Sequence, residues 1–276
     1  MIKYKDVKNK CTEGRFFSYD DWRDKLFVPP SIILVWVFLN LRLSGNFVSI
    51  LSGLLAIFCG VLIATNDPIL ILTGSFGYVV FYLLDYVDGG VARFNGSAGI
   101  GGQYVDWIMH NIVTIGMTTG IFIGSLHTTG SWIIPLGILC VVSSALTYDK
   151  YSFAWFAISM YYQQNKSKGK HEEKIEIKNN TLKSNIFVKI IRGLSLLIFH
   201  ENYTIITYPV LAIFNIYFSE YIDFRVIIVI WGALIYFPFN IWDIIRISKS
   251  KIIDNMYNKT FLKEDLPDLP NDHFFN

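Results

Sequence analysis

The feature that most constrains this chain is a series of apolar runs, several of them long enough to cross a bilayer. A membrane helix needs about 20 consecutive, mostly apolar residues, because 1.5 Å of rise per residue must cover a hydrocarbon core about 30 Å thick. Runs of that kind fall at roughly 46–65, 69–92, 101–126, 132–150, 203–219 and 225–245. Inside a bilayer every backbone N–H and C=O must be satisfied within the segment itself, so these runs are expected to be helices. Composition agrees, with 53% hydrophobic and only 17% charged residues in 276. The expected fold class is an all-α integral membrane protein of six transmembrane helices with amphipathic interfacial helices beside them.

The stretches between the runs set the organisation. Residues 1–43 form a polar N-terminal segment, in which Ser18 before Asp20, Asp21 and Trp22 is a start signal for a short surface helix. Pro29-Pro30 is expected to break the chain, and 31–41 is short for a span and fits an interfacial or re-entrant helix better. Residues 44–247 form the membrane domain. Within it, 163–185 is a Lys-rich linker and 186–199 is amphipathic, with Asn185, Lys189 and Arg192 on one face. Residues 248–276 are a polar tail. Cys11, Cys59 and Cys140 have no metal-site spacing and are expected to be free thiols. The N-terminus lacks the apolar stretch of a removable signal peptide.

Six spans put both termini on one face. That face receives Lys3, Lys5, Lys8, Lys10, Arg93, the basic stretch from Lys166 to Arg192, Arg246, Lys249 and Lys251. The other receives the turns at Asn66-Asp67, His127–Gly130 and 219–223, which hold no Lys or Arg. The positive-inside rule makes the basic face cytoplasmic. In a bacterium the chain would lie in the cytoplasmic membrane.

One segment, LLDYVDGGVARFNGSAGIGGQYVDWIMH, carries chemistry. Asp85 and Asp88 are i, i+3 on the second span, and Asp106 and His110 are i, i+4 on the third, so each pair shares a helix face. A carboxylate in a span costs about 2.5–3.5 kcal/mol on insertion scales. A hard divalent cation would offset the repulsion among three of them; the plainer reading places them in water at the helix ends. Gly89, Gly90 and Ala92, followed by Gly96, Gly99, Gly101 and Gly102, keep the backbone accessible to a nucleotide or a pyrophosphate, or else serve helix packing. For Gly116, Gly120 and Gly124 packing is expected. Arg93 is either a phosphate ligand or a membrane anchor.

This stretch resembles the CDP-alcohol phosphotransferases, whose pattern is D-x-x-D-G-x-x-A-R, a gap, then G-x-x-x-D-x-x-x-D. Asp85, Asp88, Gly89, Ala92, Arg93, Gly102 and Asp106 match it in order and spacing. SGNFVSILSGLLAI, from Ser44, also looks like the family's first span. The resemblance covers roughly 44–110. It implies transfer of a phospho-alcohol group from a CDP-linked donor, such as CDP-diacylglycerol, to an acceptor alcohol, with release of CMP in phospholipid synthesis. It also implies Mg or Mn on Asp85, Asp88 and Asp106, substrate contacts from Gly89, Ala92, Arg93 and Gly102, a homodimer in the lipid membrane, and no nucleic-acid partner. The family's last acid is His110 here. Imidazole can serve as the catalytic base or as a metal ligand, and it opens the site to Mn or Zn. The alternatives are a non-catalytic CDP- or lipid-binding member, or an aspartate-rich transferase of prenyl diphosphates.

The topology has a direct test. A cysteine placed at Ser167 is expected to label only from the cytoplasmic side, and one at Thr129 only from outside. Labelling of position 167 from outside intact cells overturns the arrangement.

Overall fold

The computed structural model describes residues 2–12, 22–167, 186–199, 201–218, 221–249 and 253, and among them there are helices and no strand. The helices are α1 (Tyr4–Thr12), α2 (Trp22–Asn40), α3 (Gly45–Ile63), α4 (Pro68–Phe94), α5 (Ile100–Thr129), α6 (Ile134–Ser167), α7 (Ile186–Phe199), α8 (Glu201–Phe218), α9 (Phe224–Trp231) and α10 (Phe237–Lys249). A 3-10 turn, Gly130–Ile133, joins α5 to α6, and a π-helical turn, Gly232–Tyr236, joins α9 to α10. Four stretches are long and apolar enough to cross a membrane: Gly45–Ile63, Pro68–Phe94, Gly101–Thr147 and Phe224–Ser248. The helix pair Lys189–Phe199 and Tyr203–Phe218, bent by 76°, meets the same criterion only when its two helices are taken together. The protein is thus an all-α chain with the helices of an integral membrane protein.

Local chemistry places the ends of these helices. Ser44 caps α3 by accepting from the N–H of Phe47. Asp67 caps α4 by accepting from Ile69 and Leu70, with Pro68 at the first helical position. At the other end of α4, Gly96 adopts a positive φ of 66°. Its N–H reaches the Arg93 carbonyl, and the Ser97 N–H reaches that of Ala92. This is a Schellman cap, and it stops α4 just beyond the aspartate motif. Lys10 of α1 adds a bond to the Phe94 carbonyl at 2.6 Å, with its ammonium over the Phe94 ring.

Small residues bring the central helices together. A Cβ on Gly60 of α3 would lie 2.7 Å from the carbonyl oxygen of Gly116 on α5, and one on Gly120 would strike the Gly60 backbone. Gly116, Gly120 and Gly124 therefore pack α5 against α3, as small residues do between membrane helices. The apolar stretch Gly101–Thr147 folds back on itself: Gly130 has a φ of 71°, and Gly137 of α6 packs on the ring of Phe122 of α5. Those two residues flank Gly130 almost evenly, so α5 and α6 form an antiparallel hairpin.

The structure departs from the sequence expectation at Pro29-Pro30, where α2 runs on without a break from Trp22 to Asn40. The prolines remove the N–H groups that would have bonded the carbonyls of Lys25 and Leu26. Packing holds the helix regardless, because Val28, Ile32, Val35 and Leu39 are buried together with Val7 and Cys11 of α1 and Val87 and Val91 of α4. Ser18, Asp20, Asp21, most of the Lys-rich linker and nearly all of the polar tail lie outside the described residues. The three cysteines are free and buried. Burial pushes the Cys11 thiol up against the opposing charges of Arg93 and Lys10.

The three turns without basic residues meet at one end of the bundle. Arg225, 1% exposed, donates from Nη1 to the carbonyls of Ile63 and Thr65 and from Nε and Nη2 to Asp223. Asp223 also accepts from Thr128 at 2.6 Å, and the His127 ring donates to the Ala64 carbonyl. Burial raises the pKa of Asp223, but the hydrogen bonds from Arg225 and Thr128 and the guanidinium charge outweigh it and leave the carboxyl below its ordinary value. A depressed folded-state pKa means that this stabilisation is complete above the ordinary carboxylate range and is lost as pH falls toward the folded value. Thermal stability of the purified protein should therefore show an acid-side loss, starting near pH 4 and continuing below it, that Asp223→Asn removes. Arg225→Leu, which strands a buried carboxylate, should cost about 3–5 kcal/mol. An unchanged melting temperature in both variants would show that the turns are held by other contacts.

Candidate functional site

At the opposite end of the bundle, the last third of α4 lies beside the first third of α5. Each residue turns an α-helix by about 100°. Asp106 and His110, four apart, therefore differ by about 40° around the helix, and Asp85 and Asp88, three apart, by about 60° in the opposite sense.

Asp85 faces α5. Its Oδ1 lies 2.9 Å from Nε2 of His110, and the same nitrogen lies 3.3 Å from Oδ1 of Asp106. One ligand atom from each of the three residues falls within 4.8 Å of the others. The His110 side chain is 8% exposed, against 26% for Asp85 and 36% for Asp106, so the cluster is closed on the imidazole side and open on the carboxylate side. Phe81, one turn before Asp85, meets the His110 ring edge-on with centroids 5.9 Å apart and limits its rotation. Two carboxylate oxygens and one imidazole nitrogen on a common point form a donor set that suits a divalent ion.

Asp88 also has a partner on α3. Its 60° offset turns it toward α3, where Ser49 donates to its Oδ2 at 2.6 Å. Both side chains are buried. Asp85, Asp106 and His110 are brought together, and Asp88 is held by a hydroxyl that sequence reasoning did not single out. The signal was present: Ser49 lies on the same α3 stripe as Gly45, Ser52, Gly53, Ala56 and Gly60, which are all small residues.

The small residues also divide. A Cβ on Gly45 would meet the Asp88 carbonyl at 2.8 Å and the Ala92 side chain at 3.0 Å, and one on Gly90 would meet Val35 at 2.6 Å. Ala92 and Gly90 are therefore placed in helix packing against α3 and α2. Gly89 faces the Arg93 guanidinium, 2.8 Å from a Cβ built there, so this half-buried arginine folds back over the glycine. Gly102 has only the Asn46 side-chain oxygen within reach, at 3.7 Å. At Gly89 and Gly102, one on each side of the α4–α5 turn, added volume meets polar side chains, those of Arg93 and Asn46.

No family model matches the chain, and no curated protein matches it significantly.

The Ser49–Asp88 bond can be tested by itself. A hydrogen bond to a charged group contributes roughly 1.5–3 kcal/mol, so Ser49→Ala should lower stability by about that amount, while Ser49→Thr, which keeps the hydroxyl, should preserve most of it. Equal unfolding of Ser49→Ala and wild type in detergent would show that Asp88 does not depend on this serine.

Proposed function

We propose that the chain is a membrane-embedded transferase that moves a phospho-alcohol group from a CDP-linked donor to an acceptor alcohol and releases CMP. The observation that carries this reading is the convergence of Asp85, Asp106 and His110 from two helices, within a sequence segment that follows the CDP-alcohol phosphotransferase pattern. A divalent ion held by these three residues would neutralise pyrophosphate charge and polarise the phosphorus under attack.

In this reading the acceptor hydroxyl oxygen forms a bond to the phosphorus that bears the donor's alcohol. The bond from that phosphorus to the oxygen bridging to CMP breaks, and CMP leaves with that oxygen. The Nε2 of His110 is turned into the carboxylates, and a nitrogen bound to an ion cannot also take a proton. This favours His110 as ligand and orienting group over the role of general base. The hydroxyl proton then passes through the Asp106 carboxylate, the most exposed of the three groups, to water. Arg93 and the open surfaces of Gly89 and Gly102 would receive the donor's phosphates and nucleotide.

The membrane arrangement that goes with this function has six spans, α3, α4, α5, α6, α8 and α9–α10, with the site and both termini toward the cytoplasm. The hairpin at Gly130 supports counting Gly101–Thr147 as two spans, and the meeting of the three turns around Arg225 supports placing them on one side. The homodimer implied by the family resemblance belongs to the same proposal.

The test is CMP release from CDP-diacylglycerol, and from water-soluble CDP-alcohols, by purified protein with Mg or Mn and a panel of acceptor alcohols. Asp85→Asn and Asp106→Asn should each reduce turnover by roughly 100-fold or more, as expected for loss of transition-state charge stabilisation. CDP binding without CMP release from any donor would refute the transferase reading and leave a nucleotide-binding membrane protein.

A further inference from the structure

Two N-terminal helices, α1 and α2, are not among the described stretches long and apolar enough to span a membrane. α2 opens on Arg23, Asp24 and Lys25, and beyond them its two faces differ. Val28, Ile32, Val35 and Leu39 are buried against α1 and α4. On the other side Leu26 and Ile33 are 57% and 52% exposed, and residues seven apart return to the same helix face. A helix packed on a span by one face, with apolar side chains bare on the other and charges at its start, lies along the hydrocarbon boundary. α1 is fixed beside it. The Ile2 N–H donates to Oδ1 of Asn40 at 3.0 Å, and Nε1 of Trp36 donates to the Ile2 carbonyl at 2.8 Å. Val7 and Cys11 are buried with the α2 residues, and Lys10 is committed to Phe94. Packed helices lie about 8–10 Å apart, axis to axis, so α1 sits one helix beyond α2, at the depth of the lipid headgroups.

We propose that α1 and the α2–α3 turn form a basic surface that binds the anionic phospholipid headgroups of the leaflet along which α2 lies. Lys3, Lys5 and Lys8 are exposed there, and Asp6 is the acid that α1 sets against them. Asp24, the acid of α2, accepts from Tyr86 at 2.8 Å. Asn40, which holds Ile2, stands two residues before Arg42, so Lys3 and Arg42 belong to one patch. Arg42 is exposed and has a positive φ of 59°. The Leu43 N–H reaches the Phe38 carbonyl across it, a helix-ending turn in which glycine is the usual residue. An arginine held in that strained conformation fits a position where charge is needed. The bonds to Ile2 and the burial of Val7 present these cations on a fixed helix, so little order is lost when headgroups bind. Each basic side chain near an anionic leaflet strengthens attachment roughly fivefold.

The test is amide hydrogen exchange of residues 2–12 in the full chain. It compares nanodiscs of phosphatidylcholine alone with nanodiscs of an equal mixture of phosphatidylcholine and phosphatidylglycerol. α1 should exchange roughly fivefold more slowly, or slower still, in the mixture, while α3 exchanges equally in both. The difference should vanish at about 1 M salt, where the Debye length falls to about 3 Å. Lys3→Gln, Lys5→Gln, Lys8→Gln and Arg42→Gly together should abolish it, and the last of these relaxes the turn rather than straining it. Equal exchange of α1 in the two bilayers, or a difference that persists in the combined variant, overturns the inference. So does slowing of α1 exchange in phosphatidylcholine nanodiscs by inorganic phosphate at constant ionic strength, which assigns the patch to a free anion. The wild-type comparison decides even if the variant fails to fold.

Discussion

The contact on which the rest of the structure depends is the approach of α3 and α5 at Gly60 and Gly120. The two helices touch backbone to backbone there, a distance that only residues without side chains allow. In a bilayer the lipid tails are as apolar as leucine, so close packing and interhelical hydrogen bonds must replace the hydrophobic drive of a soluble core. The glycine contact supplies that packing. It also fixes how α5 lies across α3 and α4, and hence where the first third of α5 meets the last third of α4. The distance from His110 to Asp85 is set more than two turns away from those residues.

Charge is handled differently at the two ends of the bundle. Around Arg225 every side-chain nitrogen finds an acceptor, and the guanidinium takes up carbonyls at the end of α3 while pairing with Asp223. This satisfied cluster joins three turns and leaves little to react. At the other end, two carboxylates crowd one imidazole, and a third carboxylate sits on a serine. Ionisable groups inside a membrane segment are expensive and belong, where they persist, to function or to pairing. The Arg225 end is a case of pairing. The His110 end has more negative than positive groups, which fits a site that receives a cation.

A second polar zone lies between α6 and α10. Asn240, fully buried, donates to the carbonyl and hydroxyl of Ser143 and to Thr147, and Thr147 meets the Tyr236 hydroxyl. The π-helical turn Gly232–Tyr236 precedes this network, and Gly232 packs closely on Cys140 of α6 and Phe199 of α7. Side-chain hydrogen bonds between membrane helices contribute roughly 0.6 kcal/mol on average, and at most about 1.7. Their value here is orientation: they fix α10 against α6.

By itself the sequence determined what depends on neighbours along the chain. Runs of about 20 apolar residues became α3, α4 and α5. Ser44, Asp67 and Gly96 marked helix ends, and the four-residue spacing of Asp106 and His110 put both on one face. These follow from helical periodicity, hydration and local hydrogen bonding. The tertiary structure decided whatever depends on which helix lies alongside. Pro29-Pro30 stayed within α2 because buried contacts with α1 and α4 hold that helix together. Gly90 and Ala92 went to packing, while Gly89 received the Arg93 side chain. Arg225, one basic residue beside a turn in the sequence, became a buried clamp because two chain-distant turns arrive beside its own. Asp88 gained Ser49 as a partner because α3 lies alongside it there. Spacing along one helix is a local quantity, but the partner that a side chain meets belongs to the bundle.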